Sequence, residues 1–302
     1  IIYIFVKLVN FFFMAFNVDK FRKDFPILNN EKKKIVYFDN SCMTLRPVQV
    51  VEAMNQYYEE FPGCAGRSMH QIGNKVTDQV ALARKSLAKF IGAKKPEELI
   101  FTRNTTEGIN LLANSFKFKP EDKVMISDKE HNSNLLPWQV LAEKKVMKLK
   151  ILGSRSDNTF SLESFEKQIQ DVRLVSIVHT SNLDGVTNPI KEIVKIAHQN
   201  HALVMLDSAQ AVPHQDINVK KLDVDFMAFS GHKMLGPSGT GLFYGKKHLL
   251  DELNPFLVGG ETVKNSSYTD RIWEDLPNRF EAGLQDYAGI IGFAAAAKYL
   301  KN

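Results

Sequence analysis

At 302 residues and 44% apolar content, the chain can bury one large core, or one large core with part of a smaller one. Its net charge of +5 comes from interspersed acids and bases, which argues against a nucleic-acid surface. The two cysteines, Cys42 and Cys64, have neither CxxC nor zinc-type spacing, which argues against a disulfide framework or structural metal and for a reducing, cytoplasmic compartment.

Residues 1–16 are almost wholly apolar and hold five of the 21 Phe. The stretch is short for a membrane span, is broken by Lys7 and Asn10, and has neither a basic leader nor a small-residue cleavage site. Met14 opens ordinary soluble sequence, so residues 1–13 are read as lying outside the functional protein, with a membrane anchor as the lesser alternative. Residues 17–34 read as an N-terminal arm and 35–302 as one large domain. Lys32-Lys33-Lys34 reads as a solvated loop before a strand-like Ile35-Val36-Tyr37-Phe38.

Helix signals cover Val48 to Phe61 and Val76 to Ile91. In the second, Val76, Val80, Ala83, Leu87 and Phe90 form one face, and Gly92 suits the C-terminal cap. Strands and helices then alternate. Leu99-Ile100-Phe101 precedes a helix from about Thr106, and Lys123 to Ser127 precedes one ending near Lys145. Leu149 to Leu152 leads to a helix over Ser161–Ile169, and Leu174 to Val178 leads to one over Pro189–Gln199. Leu203 to Leu206, Asp223 to Phe229 and Gly241 to Tyr244 follow as strands, with an antiparallel member expected among the last. Ala288 to Leu300 reads as an apolar helix. This alternation predicts an α/β fold, a three-layer α/β/α sandwich around a mostly parallel sheet.

Two polar clusters stand where apolar runs end. Ala202-Leu203-Val204-Met205-Leu206 runs into Asp207-Ser208-Ala209-Gln210, and Phe226-Met227-Ala228-Phe229 runs into Ser230-Gly231-His232-Lys233. Such runs read as buried parallel strands, whose carboxyl ends are where open α/β sheets bind ligands. An acid on one strand end and a lysine on the next suit a flat, charged cofactor. That is the chemistry of pyridoxal 5'-phosphate, in which a lysine forms a Schiff base and a carboxylate partners the ring nitrogen. At about 4 Å and an effective dielectric near 20, that pairing gives roughly 4 kcal/mol, enough to keep the ring an electron sink at neutral pH.

The supporting residues carry ordinary readings beside functional ones. Gln210 is either a donor to the cofactor's phenolic oxygen or a turn residue, and Asn182 either reaches that oxygen or simply forms a turn. Thr105 and Thr106, in Asn104-Thr105-Thr106-Glu107-Gly108, supply phosphate donors at a helix start, where N-capping by the threonines is a compatible role. Ser230 and His232 add donors. His131 either stacks on the ring or serves as a structural hydrogen-bonder. Gly236-Pro237-Ser238-Gly239-Thr240-Gly241 has neither phosphate-loop spacing and reads as a turn between strands. His198 and His201 lack carboxylate company in the sequence, so no metal site is expected.

With these motifs, and with Glu130-His131-Asn132-Ser133-Asn134 and Arg279-Phe280-Glu281-Ala282-Gly283, the chain resembles the class V aminotransferase family of fold-type I pyridoxal phosphate enzymes. Within it, the resemblance is to group II cysteine desulfurases and selenocysteine lyases, from about Tyr37 to Gly283. It implies that Lys233 carries the Schiff base, Asp207 pairs with the ring nitrogen and His131 stacks on the ring. It further implies that Gln210 and Asn182 contact the phenolic oxygen and that Thr106, Ser230 and His232 bind phosphate. A homodimer is implied, with Gly283 reaching the neighbouring subunit's cofactor, as are a cysteine substrate and a sulfur-acceptor protein.

Three departures stand out. The family's small C-terminal domain, with its nucleophilic cysteine and carboxylate-binding arginine, is expected to be missing, and neither Cys42 nor Cys64 matches that cysteine in position or context. Leu284 follows Gly283 where the desulfurase pattern has Thr. Gly66 precedes Arg67 where it has His. The leading expectation is sulfur removal from cysteine to give alanine. Transamination, epimerisation, Cβ-elimination and cofactor binding without turnover stand as alternatives.

Overall fold

The computed structural model describes residues 17–29 and 35–301. The readings of the apolar leading stretch and of Lys32-Lys33-Lys34 lie outside the described residues. Among those described, no helix is long and apolar enough to cross a membrane.

A short helix α1 (Val18–Lys23) precedes two longer ones, α2 (Val48–Glu60) and α3 (Gln71–Phe90). The alternating region follows as β1 (Leu99–Thr102), α4 (Thr105–Ser115), β2 (Lys123–Ser127), α5 (Asn132–Glu143) and β3 (Lys148–Leu152). It continues through α6 (Leu162–Gln168), β4 (Val172–Val178), α7 (Ile190–Gln199), β5 (Leu203–Asp207), α8 (Val219–Leu222) and β6 (Phe226–Ser230). Then come β7 (Gly241–Gly245), α9 (Lys247–Glu252), a hairpin of β8 (Val263–Ser266) and β9 (Arg271–Trp273), and α10 (Tyr287–Lys301).

Seven strands form one sheet in the order β1-β7-β6-β5-β4-β2-β3. The antiparallel member is β7, paired on both sides to strands of the opposite direction. The short connection from β6 explains this, since a parallel return would need a crossover of a dozen residues or more.

The sheet is buried on both faces, and side-chain alternation assigns each residue to one core. Leu99, Phe101, Val204, Leu206, Met227, Phe229, Leu242 and Tyr244 pack in a core that includes residues of α3, α6, α7 and α10. Ile100, Met205, Phe226, Ala228 and Phe243 join a second core with α4, α5 and α9. At Gly108 the helix lies so close to the sheet that an added Cβ would stand 3.0 Å from the Ala228 methyl carbon.

Three local expectations are corrected. Residues 35–38 form no strand: Val36 and Phe38 are 80% and 91% exposed, and no strand among the described residues pairs with the segment. Helix α3 starts five residues earlier than the apolar periodicity suggests, because the His70 ring accepts the Gly73 N–H at 3.3 Å and caps a polar first turn. Asn104, rather than Thr105 or Thr106, caps α4 through the Glu107 N–H at 2.9 Å.

A buried ion pair joins distant parts of the chain. The Arg84 guanidinium on α3 donates to both Glu281 oxygens at 2.7 Å and to the Leu99 carbonyl at 2.8 Å. Glu281 also accepts the Phe101 N–H at 2.7 Å, and the guanidinium lies 4.2 Å from the Phe101 ring centre. Removing one partner of such a pair leaves a buried charge uncompensated. Glu281→Ala is therefore expected to lower stability by about 3–5 kcal/mol. Urea denaturation measures this, and an unchanged midpoint would contradict a structural role for the clamp.

Candidate active site

The site forms at the carboxyl edge of the sheet, where β5 and β6 end side by side. Their parallel register sets Asp207 against Ala228, and the Ser208 N–H donates to the Ala228 carbonyl at 2.9 Å. Asp207 is 3% exposed. One carboxyl oxygen accepts the Ala209 N–H at 3.0 Å, and the other has no hydrogen bond among the described residues. Burial pushes the Asp207 carboxyl pKa up, while the charges of Lys233 and His131 pull the other way.

Lys233 closes a single 3-10 turn, Gly231–Lys233, directly after β6. Its amine makes no hydrogen bond or ion pair among the described residues, although it lines the same cleft as Asp207. The turn is held from outside by Thr44, whose N–H and hydroxyl both donate to the His232 carbonyl at 2.9 Å. Burial, then the nearby charges of Lys233 and Arg46, lower the His232 pKa.

The start of α4 supplies the anion-binding end. The Thr105 N–H donates to Ser230 Oγ at 2.8 Å, and the two hydroxyls lie 2.6 Å apart. The Thr106 N–H has no partner among the described residues, and its hydroxyl lies 2.7 Å from Ser133 Oγ. Gly241 permits this arrangement, because a Cβ there would come within 2.7 Å of the Asn104 backbone.

His131 caps α5: its Nδ1 accepts the Ser133 N–H at 3.1 Å, which leaves the ring fixed at the cleft. Asn182 lines the cleft from the loop after β4. Gln210 also lines it, but one amide proton is engaged by the Ser41 carbonyl at 2.7 Å, leaving the second for a ligand. Thus Lys233, Asp207, Thr105, Thr106, His131, Asn182, Gln210, Ser230 and His232 meet in one cleft of about 370 Å3. Gly283 is not brought there. It adopts φ +75° beside a separate cavity, with its N–H on the Gly260 carbonyl at 2.8 Å.

Two residues without an assigned role belong to this neighbourhood. Cys42 lines the cleft, because the loop carrying it folds over the strand ends. No periodicity or motif marks this; only long-range packing does. Glu130 stands under His131, and its carboxyl accepts from the Val178 N–H at 3.0 Å, from Asn134 Nδ2 at 2.6 Å and from the Ser127 hydroxyl. Asn134 in turn accepts from Trp138 Nε1 at 3.0 Å, so the network ties β2, β4 and α5 together. Its place inside Glu130-His131-Asn132-Ser133-Asn134 was the available signal.

His198 does have carboxylate company, contrary to expectation. Its Nε2 lies 2.8 Å from Asp225 and its Nδ1 3.4 Å from Asp223, with Lys246 also 2.8 Å from Asp225. The lysine and the Val204 N–H already occupy Asp225, and no metal-holding group occurs among the described residues.

The cleft fits pyridoxal phosphate on three grounds. It contains a buried acid with a free oxygen for a ring N–H, an unpaired amine for a carbonyl, and a helix start with a free N–H for a phosphate. These features define a pyridoxal-phosphate-dependent enzyme built on a doubly covered, mostly parallel sheet. The chain belongs to the class-V aminotransferase family, whose model matches residues 36–302.

A probable cysteine desulfurase from Halalkalibacterium halodurans is 39% identical over 292 residues, covering 95% of this chain and 72% of that protein. A cysteine desulfurase from Salmonella typhimurium is 40% identical over 296 residues, covering 96% and 73%. Among solved structures, the apo cysteine desulfurase from Thermococcus onnurineus superposes with a TM-score of 0.90 at 39% identity, covering 94% of this chain and 70% of that one. The cysteine desulfurase CsdA from Escherichia coli, in an S-sulfonic acid form, gives 0.87 at 33% identity, covering 95% and 72%.

Burial, opposed by its hydrogen bonds, pushes the Glu130 carboxyl up from 4.5 to about 7. Between these values the native state holds a proton that the unfolded chain has lost, so this group's contribution to stability falls as pH rises through the window. Glu130→Gln, which stays neutral, is expected to flatten that fall. Urea midpoints of both proteins across this pH range test it, and identical slopes would show that Glu130 titrates normally.

Proposed function

We propose that this enzyme is a cysteine desulfurase, removing sulfur from cysteine and leaving alanine. The supporting observation is the meeting of an unpaired Lys233 and a buried, half-unpaired Asp207 in one cleft, in a chain with about 40% identity to cysteine desulfurases over nearly its whole length.

Pyridoxal phosphate, when bound, supplies a conjugated system that accepts the electron pair left at the substrate Cα. The chain's residues have distinct tasks around it. Lys233 holds the cofactor through its amine and, once released by substrate, removes the Cα proton as a general base. Asp207 holds the proton on the ring nitrogen. His131 covers the ring face, and Asn182 with the second amide proton of Gln210 orients the phenolic oxygen. The Thr106 N–H, with the hydroxyls of Thr105, Thr106 and Ser230 and the His232 ring, holds the phosphate.

The working form in this reading is a cytoplasmic homodimer that passes sulfur to an acceptor protein. Gly283 acts on the neighbouring subunit's cofactor, which accounts for its distance from its own chain's cleft.

Purified protein with pyridoxal phosphate is expected to show a visible band that Lys233→Ala abolishes, and to form alanine and sulfide from cysteine with a thiol reductant. A band unchanged in the variant would sink the Lys233 assignment. A keto acid in place of alanine would move the reading to transamination.

A further inference from the structure

We propose that the Lys129–Asp184 ion pair is a positioning device of the cleft, holding the turn that carries Asn182 so that its amide stays over the cofactor. The inference rests on the cofactor site proposed above and deepens it, because it names what steadies one of that site's contact residues.

Asn182 stands at the tip of a small hairpin that follows β4. Thr180 and Thr187 pair as an isolated antiparallel bridge, and the Ser181 N–H donates to the Val186 carbonyl at 2.9 Å. The Gly185 N–H closes the turn on the Ser181 carbonyl at 3.0 Å, with Gly185 at φ +72°. The base of this hairpin is fixed from outside, since Gln215 Nε2 donates to both threonine hydroxyls at 2.9 Å. The tip has one such tie. Among the described residues, the single hydrogen bond or ion pair joining residues 182–186 to the chain outside the hairpin runs from Lys129 Nζ to Asp184 Oδ2, at 2.5 Å. The Asn182 amide lines the cleft and makes no hydrogen bond of its own among those residues. Its place therefore depends on Asp184, two residues further on.

Lys129 comes from the loop on the other side of the cleft wall. It stands two residues before His131, which lines the same cleft. Glu130, between them, accepts the Val178 N–H at 3.0 Å, where β4 ends and the hairpin begins. Adjacent residues of the β2 loop thus grip the β4 loop twice, Glu130 at its root and Lys129 at its tip. Two residues that face the cleft, His131 and Asn182, are joined through this bridge.

The pair is placed to persist in solution. The Lys129 and Asp184 side chains are 15% and 32% exposed, so salt screens them less than a pair on open surface. The hydrogen bond from Lys129, and then that from the Val186 N–H, hold the Asp184 carboxyl down at about 2, so it is ionised throughout the neutral range. The Lys167–Glu163 pair differs on both counts: it is open to solvent, and it joins residues four apart on α6, away from the cleft lining.

The test titrates cofactor-free protein with pyridoxal phosphate and follows the visible band and its circular dichroism. Asp184→Asn and Lys129→Met are each expected to weaken cofactor binding by about fivefold, the equivalent of one hydrogen bond, and to alter the dichroism of the bound band. Lys129→Arg is expected to bind as the unsubstituted protein does, as is the control Glu163→Gln. Asn182→Ala is expected to match Asp184→Asn, and the protein carrying both changes to bind no more weakly than Asn182→Ala alone, because the ion pair acts through that amide. Without cofactor, chymotrypsin is expected to cut after the exposed Leu183 several-fold faster in Asp184→Asn. Unchanged cofactor affinity in Asp184→Asn, or losses that add in the doubly substituted protein, would overturn this assignment and leave the cofactor site intact. No visible band from the unsubstituted protein would overturn both.

Discussion

The parallel pairing of β5 with β6 is the constraint on which the active site depends. Asp207 extends the face of β5 that carries Met205, toward the core shared with α4 and α5. A slip of one residue would turn its carboxylate to the opposite face, among the apolar side chains of α3, α7 and α10. The hydrophobic alternation that sets the register therefore also aims the acid. Ser230 stands at the end of the neighbouring strand, and one turn further on stands Lys233. No separate device is needed to bring the two groups together.

The electrostatics of the cleft follow from this burial. Asp207 and Glu130 are both pushed upward by desolvation, and Asp207 adds a repulsive contribution at Glu130. Two carboxyls that resist ionisation side by side favour a positive group placed between them and solvent. At the opposite end, the free N–H of Thr106 and the start of α4 favour negative charge. The cleft is polarised along its length, and a ring with a cationic nitrogen at one end and a phosphate at the other matches it.

Much of this was legible in the sequence, for identifiable reasons. The central strands are continuous apolar runs, so Leu203 to Leu206 and Phe226 to Phe229 stand out without context, and the polar residues after them fall at the functional edge. The residues misread are those decided by distant neighbours. Ile35 to Phe38 has strand composition but pairs with no strand among the described residues. His70 caps α3 although histidine is not a favoured cap. His198 gains its carboxylates only when the residues leading into β6, Asp223 and Asp225, come beside the end of α7. Cys42 enters the cleft because Ser41 and Thr44 bind residues far along the chain, and pairings at that separation leave no local pattern.

The place of β1 in the sheet carries a consequence for how the protein is made. Its sole sheet partner among the described residues is β7, and Thr102 pairs with Gly241, so nearly half the chain separates the two strands. At ribosomal rates of about 5–20 residues per second, β1 waits on the order of ten seconds or more for its partner to emerge. Helix α4, which follows β1 directly, cannot be seated against β7 before then. The phosphate cradle is consequently among the last parts of this domain to form during synthesis.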